Sequence, residues 1–187
     1  MTTEPTRDRI VRVAREIAEA DGISAVTLRA VGTAAGVSRA APYRHFRDKS
    51  DLLAAVAEDG LRRIQHALQS AGKDSDDAKA RLDAALQAYI ARARAEPAVY
   101  TLIYSADLAT DEHPELTRAG LDAYETFVGL IDRVLHDRAA SKTAASKLWA
   151  ATHGAITLTL AGHGTKEKGL DDITDLLRQL ALDILAP

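Results

Sequence analysis

Between residues 39 and 49 the chain sets Arg39, Arg44, Arg47 and Lys49 around Tyr43 and His45. Guanidinium and ammonium groups neutralise phosphates, and phenol or imidazole groups donate hydrogen bonds to phosphate oxygens. This mix therefore suits contact with a nucleic-acid backbone. The segment also lies in the net-basic part of the chain. Residues 1–49 hold nine Lys/Arg against six Asp/Glu, whereas the remainder holds 15 against 21. The asymmetry predicts a head that meets an anion and a body that does not.

The elements that must position these side chains are short helices. Thr27 stands before Leu28, Val31 and Ala35, and Gly36 follows, predicting a helix of about two turns closed by a glycine able to take positive φ. Val37 fills the turn, and Ser38 is the expected cap of a second short helix through about His45. Two such helices joined by Ala35-Gly36-Val37-Ser38 form the helix-turn-helix pattern. An ordinary helical hairpin has the same spacing, and it is the neighbouring cations that favour DNA. Upstream, Ile10, Val13, Ala14, Ile17 and Ala18 mark a helix over about 7–20, stopped by Asp21-Gly22. Downstream, Asp48 and Asp51 form a variant capping box for a long helix running to Gly72. Ser75, Pro97, Pro114, Ser141 and Asp171 mark further helix starts. No run alternates with period two, so the expected fold is all-α, with about nine helices in total. It comprises an N-terminal three-helix head carrying the helix-turn-helix and a larger C-terminal helical bundle. The boundary falls between residues 48 and 49, with a DNA-binding domain over 1–48 and a helical body over 49–187.

Composition narrows the function. With 47 % hydrophobic and 27 % charged residues the chain is too apolar to be mainly disordered. The lack of Cys excludes disulfides, thiolate zinc sites and Cys nucleophiles, and it is compatible with a reducing cytoplasm. The opening MTTEPTRDRI carries charges where a secretory signal would be apolar. The uncharged stretch from Leu148 to Thr165 is too polar to span a bilayer and reads as a buried helix, so no membrane partner is expected. No G-x-S-x-G, phosphate-cradling glycine loop or H-E-x-x-H occurs, so neither an enzyme nor a cofactor is expected. Among possible ligand pairs only Asp132 and His136 have clean helical spacing, and such pairs are usually solvated charge partners, so no metal is expected either.

The stretch from Thr27-Leu28-Arg29 through Ala35-Gly36-Val37-Ser38, followed by Tyr43-Arg44-His45-Phe46-Arg47-Asp48-Lys49-Ser50-Asp51-Leu52-Leu53, closely resembles the DNA-binding domain of the TetR family of bacterial transcriptional regulators. The resemblance covers about residues 7–55. A shorter one, Leu148-Trp149-Ala150-Ala151-Thr152-His153-Gly154, is similar to the Trp, His-Gly (WHG) signature of a C-terminal ligand-binding subfamily. The first resemblance implies that Thr27, Tyr43 and Lys49 meet phosphate, and that Arg39, Ala40 and Arg44 face base edges. Ser38 joins this expected DNA-binding set, and so does His45, as either a phosphate donor or a residue packed on Phe46. Ala41 and Pro42 depart from the family pattern, which more often has a hydroxyl residue and Leu there. Gly32 within the second helix costs up to about 1 kcal/mol relative to Ala.

The family further implies a homodimer on an inverted-repeat operator in double-stranded DNA, a repressor released by a small hydrophobic effector, a ligand-binding and dimerisation domain over 49–187, and a cytoplasmic location. Expected effector contacts are Ile64, Leu68, Tyr89, Tyr100, Ile103, Tyr104, Tyr124, Trp149 and His153, with Leu86, Ile90 and Leu121 as further cavity walls. Tyrosines and Trp149 at helical spacing are equally able to fill a core, and His153 to be a satisfied structural histidine. The dimer is expected from two helices, over about 142–163 and 171–185.

Overall fold

The computed structural model describes residues 4–105, 108 and 112–186. Among these residues there are nine α-helices, two 3₁₀ turns and no strand. The helices are α1 (Thr6–Asp21), α2 (Leu28–Ala34), α3 (Ala41–His45), α4 (Lys49–Ser70), α5 (Ala78–Ala95), α6 (Pro97–Ile103), α7 (Pro114–Leu135), α8 (Arg138–Leu160) and α9 (Ile173–Ile184). The all-α class and the helix number follow the sequence periodicity. The chain forms two compact units, one of residues 1–62 with 96–120 and one of 63–95 with 121–187.

In the first unit α1 buries Ile10, Val13, Ala14 and Ala18, the face its spacing predicts. It ends where Gly22, at φ +86°, returns its backbone N–H to the Ala18 carbonyl. Val26, Val31, Leu52 and Val56 are fully buried around it, each contributing about 1.5–3 kcal/mol of hydrophobic stabilisation. The short α6 belongs to this unit, and polar groups of α1 fasten it there. The Glu19 carboxylate accepts the backbone N–H groups of Ala98 at 3.1 Å and Val99 at 2.8 Å, donors that the first turn of α6 leaves without partners. Arg15 donates to Asp59 at 2.9 Å and lies 3.6 Å from Glu96. Gly60 lets α6 approach α4: a β-carbon there would meet Val99 Cγ1 at 2.6 Å.

In the second unit α5 buries Leu82, Leu86, Tyr89 and Ile90, and α9 buries Ile173, Leu177 and Ala181. Arg178 of α9 donates to Asp83 of α5 at 2.8 Å. On α8 the buried face is Ser141, Ala144, Ala145, Leu148, Thr152, Ala155 and Ile156. Its other side exposes Trp149, Leu158 and Leu160, so the uncharged stretch is buried on one face only.

Several helix starts differ from expectation by one to three residues, for a common reason. Asp137 caps α8 by accepting from Ala139 and Ala140, and Ser141 lies inside the helix, donating to the Asp132 carboxylate at 3.0 Å. Asp77, not Ser75, accepts from Lys79 at the start of α5, and Asp172, not Asp171, caps α9. Where several short polar residues follow one another, each is a competent cap, and packing of the apolar face selects among them. The α4 helix ends at Ser70, two residues before Gly72, whose φ is +59°.

Candidate nucleic-acid interface

The presentation of α3 starts with α2. The Thr27 hydroxyl accepts from the Ala30 backbone N–H at 3.1 Å, capping α2 as expected. Gly36 then takes φ +63°, and Val37 donates to the Gly32 carbonyl at 3.2 Å to close the helix. Ser38 is not the cap of α3. Ala40 holds that position and no side chain caps the helix, while the Ser38 carbonyl accepts from the Ala41 N–H at 2.9 Å to shape the turn. The reason is Pro42: in a helix begun at Arg39 it would be the fourth residue, where it has no N–H for the Ser38 carbonyl and its ring would crowd that oxygen, so α3 starts at Ala41 and keeps the proline in its first turn.

The expected DNA-facing residues lie in the first unit. Thr27, Ser38, Arg39, Ala40, Arg44 and His45 are exposed, and Tyr43 keeps 58 % of its surface open to solvent. Beneath them Pro42 and Phe46 are buried. An exposed tyrosine beside exposed arginines, over a buried apolar base, presents donors outward where they can reach phosphate oxygens. His45 is exposed, and its ring centroid stands 6.4 Å from that of Phe46, an arrangement compatible with either of its expected roles. Lys49 is half-buried and donates to the Ser24 carbonyl at 3.1 Å, leaving two of its three ammonium protons for other acceptors.

The join between α3 and α4 is a pair of carboxylates. Asp48 accepts the Asp51 N–H at 2.9 Å, and Asp51 accepts the Arg47 N–H at 3.0 Å and faces its Nε at 3.4 Å. This is the expected capping box with its return bond moved one residue outward. The hydrogen bond from the Arg47 backbone, followed by the Arg47 guanidinium, holds the Asp51 carboxyl below its ordinary value.

The residues expected at an effector fall into three groups. Tyr100 and Tyr104, with ring centroids 5.1 Å apart, and Ile103 belong to the first unit. Ile64, Leu68 and Tyr89 are buried in the second. Tyr124, Trp149 and His153 form a row of rings in the second unit, with centroids 6.4 and 6.3 Å apart, the indole and imidazole being stacked. Burial lowers the His153 pKa from its ordinary 6.5. Leu121 is 61 % exposed and so walls no cavity: at the position where it leaves α7 the helix faces solvent. A residue that the periodicity did not single out is Thr152, 3 % exposed, whose hydroxyl makes no hydrogen bond within the protein. Among the described residues no three His, Asp or Glu are grouped to hold a metal, and no helix is long and apolar enough to cross a membrane.

A glycine-closed two-turn helix followed by a short helix of exposed cations and Tyr43 defines a helix-turn-helix DNA-binding protein. Residues 10–56 match the bacterial regulatory proteins of the tetR family, and residues 82–183 match the tetracyclin repressor-like C-terminal domain. The second match spans more than half of the chain, and the chain belongs to the TetR family of DNA-binding transcriptional regulators, which are not enzymes. Over 55 residues it is 42 % identical to the HTH-type transcriptional regulator AcrR of Shigella flexneri, and over 66 residues 42 % identical to the HTH-type transcriptional regulator SrpR of Pseudomonas putida. These matches span 29 % and 35 % of the chain and 26 % and 29 % of the two relatives. The fold as a whole is similar to that of a protein of unknown function from Rhodococcus sp. RHA1, at TM-score 0.75 and 28 % identity, covering 98 % of this chain and 94 % of that one. A TetR transcriptional regulator from the same organism gives 0.70 at 20 % identity, covering 97 % and 96 %.

Proposed function

We propose that this regulator is a cytoplasmic, homodimeric repressor that binds an inverted-repeat operator through residues 1–48 together with Lys49 at the start of α4, and is released by a small, partly hydrophobic effector bound within residues 49–187. The observation that carries the DNA-contact assignment is the exposed row of Arg39, Tyr43 and Arg44 above buried Pro42 and Phe46. In this reading Thr27, Ser38, Tyr43, His45 and Lys49 meet phosphate, and Arg39, Ala40 and Arg44 read base edges. Two heads related by a two-fold axis then read two half-sites related by the same axis.

The dimer reading rests on the faces of α8 and α9 that the protomer leaves uncovered. Trp149, Leu158 and Leu160 are exposed on α8, and Leu176 and Leu182 on α9. Large apolar side chains left in solvent on two helices that pack against each other favour an association surface there. The effector reading rests on the body aromatics and on the Thr152 hydroxyl, a buried polar group that gains from a ligand partner. Release by an effector requires that it bind the DNA-incompetent state better, by about 5.5 kcal/mol for a shift from 1:99 to 99:1.

Selection of duplexes from a random pool by the full chain tests the DNA reading. Enrichment of an inverted repeat is the expected result, and enrichment of single, non-palindromic motifs would overturn the dimeric readout.

A further inference from the structure

A cavity of about 160 Å³ lies within the first unit, bounded by the end of α3, the first turns of α4 and the start of α7. Its apolar lining is Phe46, Ala54, Ala55 and Leu116. The two alanines make the space: they are buried, but they interrupt a helix whose neighbouring positions are Leu52, Leu53 and Val56. Cavities of this size hold a single aromatic ring or a short aliphatic body.

The polar lining has more carboxylates than cations: Asp51, Glu58, Glu112 and Glu115 stand beside the Arg7 guanidinium and the imidazoles of His45 and His113. Arg7 is already engaged, 5.6 Å from the Phe46 ring centroid and 3.8 Å from Glu58. Asp51 is held by Arg47 and Glu58 by Arg62, whereas Glu112 and Glu115 are exposed at the rim. His113 also lines the cavity and is only 7 % exposed. Its Nδ1 is 3.9 Å from Asp51 and its Nε2 3.5 Å from Ser50, both beyond the roughly 2.7–3.2 Å of a well-made hydrogen bond. A buried imidazole so loosely held keeps hydrogen-bonding capacity for a ligand.

We propose that this cavity is a small-molecule site for a compact organic cation, a protonated amine on a ring or short apolar body. The body fills the space against Phe46, Ala54, Ala55 and Leu116, the ammonium faces the Glu112 and Glu115 carboxylates, and His113 offers a further polar contact. Anions of the same shape are excluded by the carboxylate excess. None of its lining residues is among those expected at the effector, and the proposal does not depend on that assignment.

The test uses the full-length, ¹⁵N-labelled protein with three probes of matched shape: benzylamine, benzyl alcohol and benzoate. Benzylamine is expected to give saturable amide shifts centred on Phe46, Ala54, Ala55 and Leu116, benzyl alcohol weaker ones, and benzoate none. Ala55→Leu, which fills the cavity, should abolish the benzylamine shifts while the protein retains its dispersed spectrum. Glu112→Gln combined with Glu115→Gln should weaken benzylamine about two- to fivefold and leave benzyl alcohol unchanged. Equal responses to all three probes, shifts centred elsewhere, or a benzylamine response that survives in Ala55→Leu would overturn the site. If Ala55→Leu fails to fold, the glutamine pair decides, and an unchanged benzylamine affinity in that variant overturns the proposal.

Discussion

Gly32 and Pro42 pack as one unit across the helix-turn-helix: a β-carbon on Gly32 would stand 2.8 Å from Cγ of the Pro42 ring. The glycine costs α2 helix propensity, whereas the proline sits in the first turn of α3, where a helix tolerates it. Together they bring the two short helices close enough for Pro42 to be buried beneath Tyr43 and Arg44. Gly32→Ala should therefore destabilise the protein by about 1–3 kcal/mol, an overpacking cost that outweighs the helix propensity gained. Pro42→Ala in the same chain should recover part of that loss. Urea unfolding of the two single variants and the double variant measures the coupling, which should exceed about 0.5 kcal/mol.

Asp51 ties the start of α4 to the Arg47 backbone, and its carboxyl is held below the ordinary Asp value of 3.8. A carboxyl with a depressed pKa in the folded state contributes stability above its unfolded pKa and loses it as pH falls through the folded one. The stability difference between the wild type and Asp51→Asn should thus be constant above about pH 5 and shrink progressively below 3.8. Denaturant midpoints measured from pH 7 to pH 2.5 check the direction. A difference that grows toward acid would contradict the assigned hydrogen bonds.

The helix-turn-helix was legible because its signals are local. Thr27 caps, Gly36 takes positive φ, and the cations follow within a few residues. Long-range pairings left no such trace. Glu19 reaches the amides of Ala98 and Val99 across some eighty residues, and no spacing rule marks a glutamate on α1 as the cap of α6. Gly32 is legible in the sequence only as a helix penalty and Pro42 only as a departure from the family pattern, because their complementarity exists only once the helices touch. Ser38 looked like a cap because capping was judged from the residue itself, when the deciding feature was the N–H missing from Pro42. For the expected effector contacts, helical spacing marked apolar faces without saying which of them would stay in solvent, as Leu121 does.

Base-reading and phosphate-binding residues should separate by salt and by sequence. On a duplex obtained by selection, Arg44→Ala should cost about 1–3 kcal/mol and relax preference at one position. Tyr43→Phe and Lys49→Ala should weaken binding to preferred and random duplexes alike, and Lys49→Ala should reduce the salt slope by about 0.9. Because Lys49 also donates to the Ser24 carbonyl, its loss should in addition lower thermal stability slightly, whereas Tyr43→Phe should not. An unchanged site preference in Arg44→Ala would move that residue to the phosphate class.

Trp149 is the sole tryptophan and stacks on His153, whose pKa is lowered from 6.5 by burial. The imidazole should therefore be neutral at pH 7, and protonation should change indole emission with a midpoint below 6.5. His153→Gln should remove the transition. Because the unfolded chain binds the proton more readily, wild-type stability relative to this variant should fall as pH drops through the unfolded value. A midpoint at or above 6.5 would show that the imidazole is not desolvated as the fold places it.

The two faces of α9 distinguish folding from association. Leu177 is 1 % exposed and belongs to the protomer core, so Leu177→Asp should cost several kcal/mol and unfold the second unit rather than report on a dimer. Leu176 is 40 % exposed and Leu158 of α8 is 44 % exposed, so their energetic value lies in what covers them. Leu176→Asp and Leu158→Asp should leave helicity and the urea midpoint of the monomeric unit nearly unchanged, because neither carboxylate is buried within the protomer. Placed in an apolar interface, however, each would bury an unpaired charge twice, once per subunit, under two-fold symmetry. Sedimentation at low micromolar concentration should show a dimer for the wild type and monomers for both variants. Two variants that remain dimeric with unchanged helicity would place the association surface away from the exposed faces of α8 and α9.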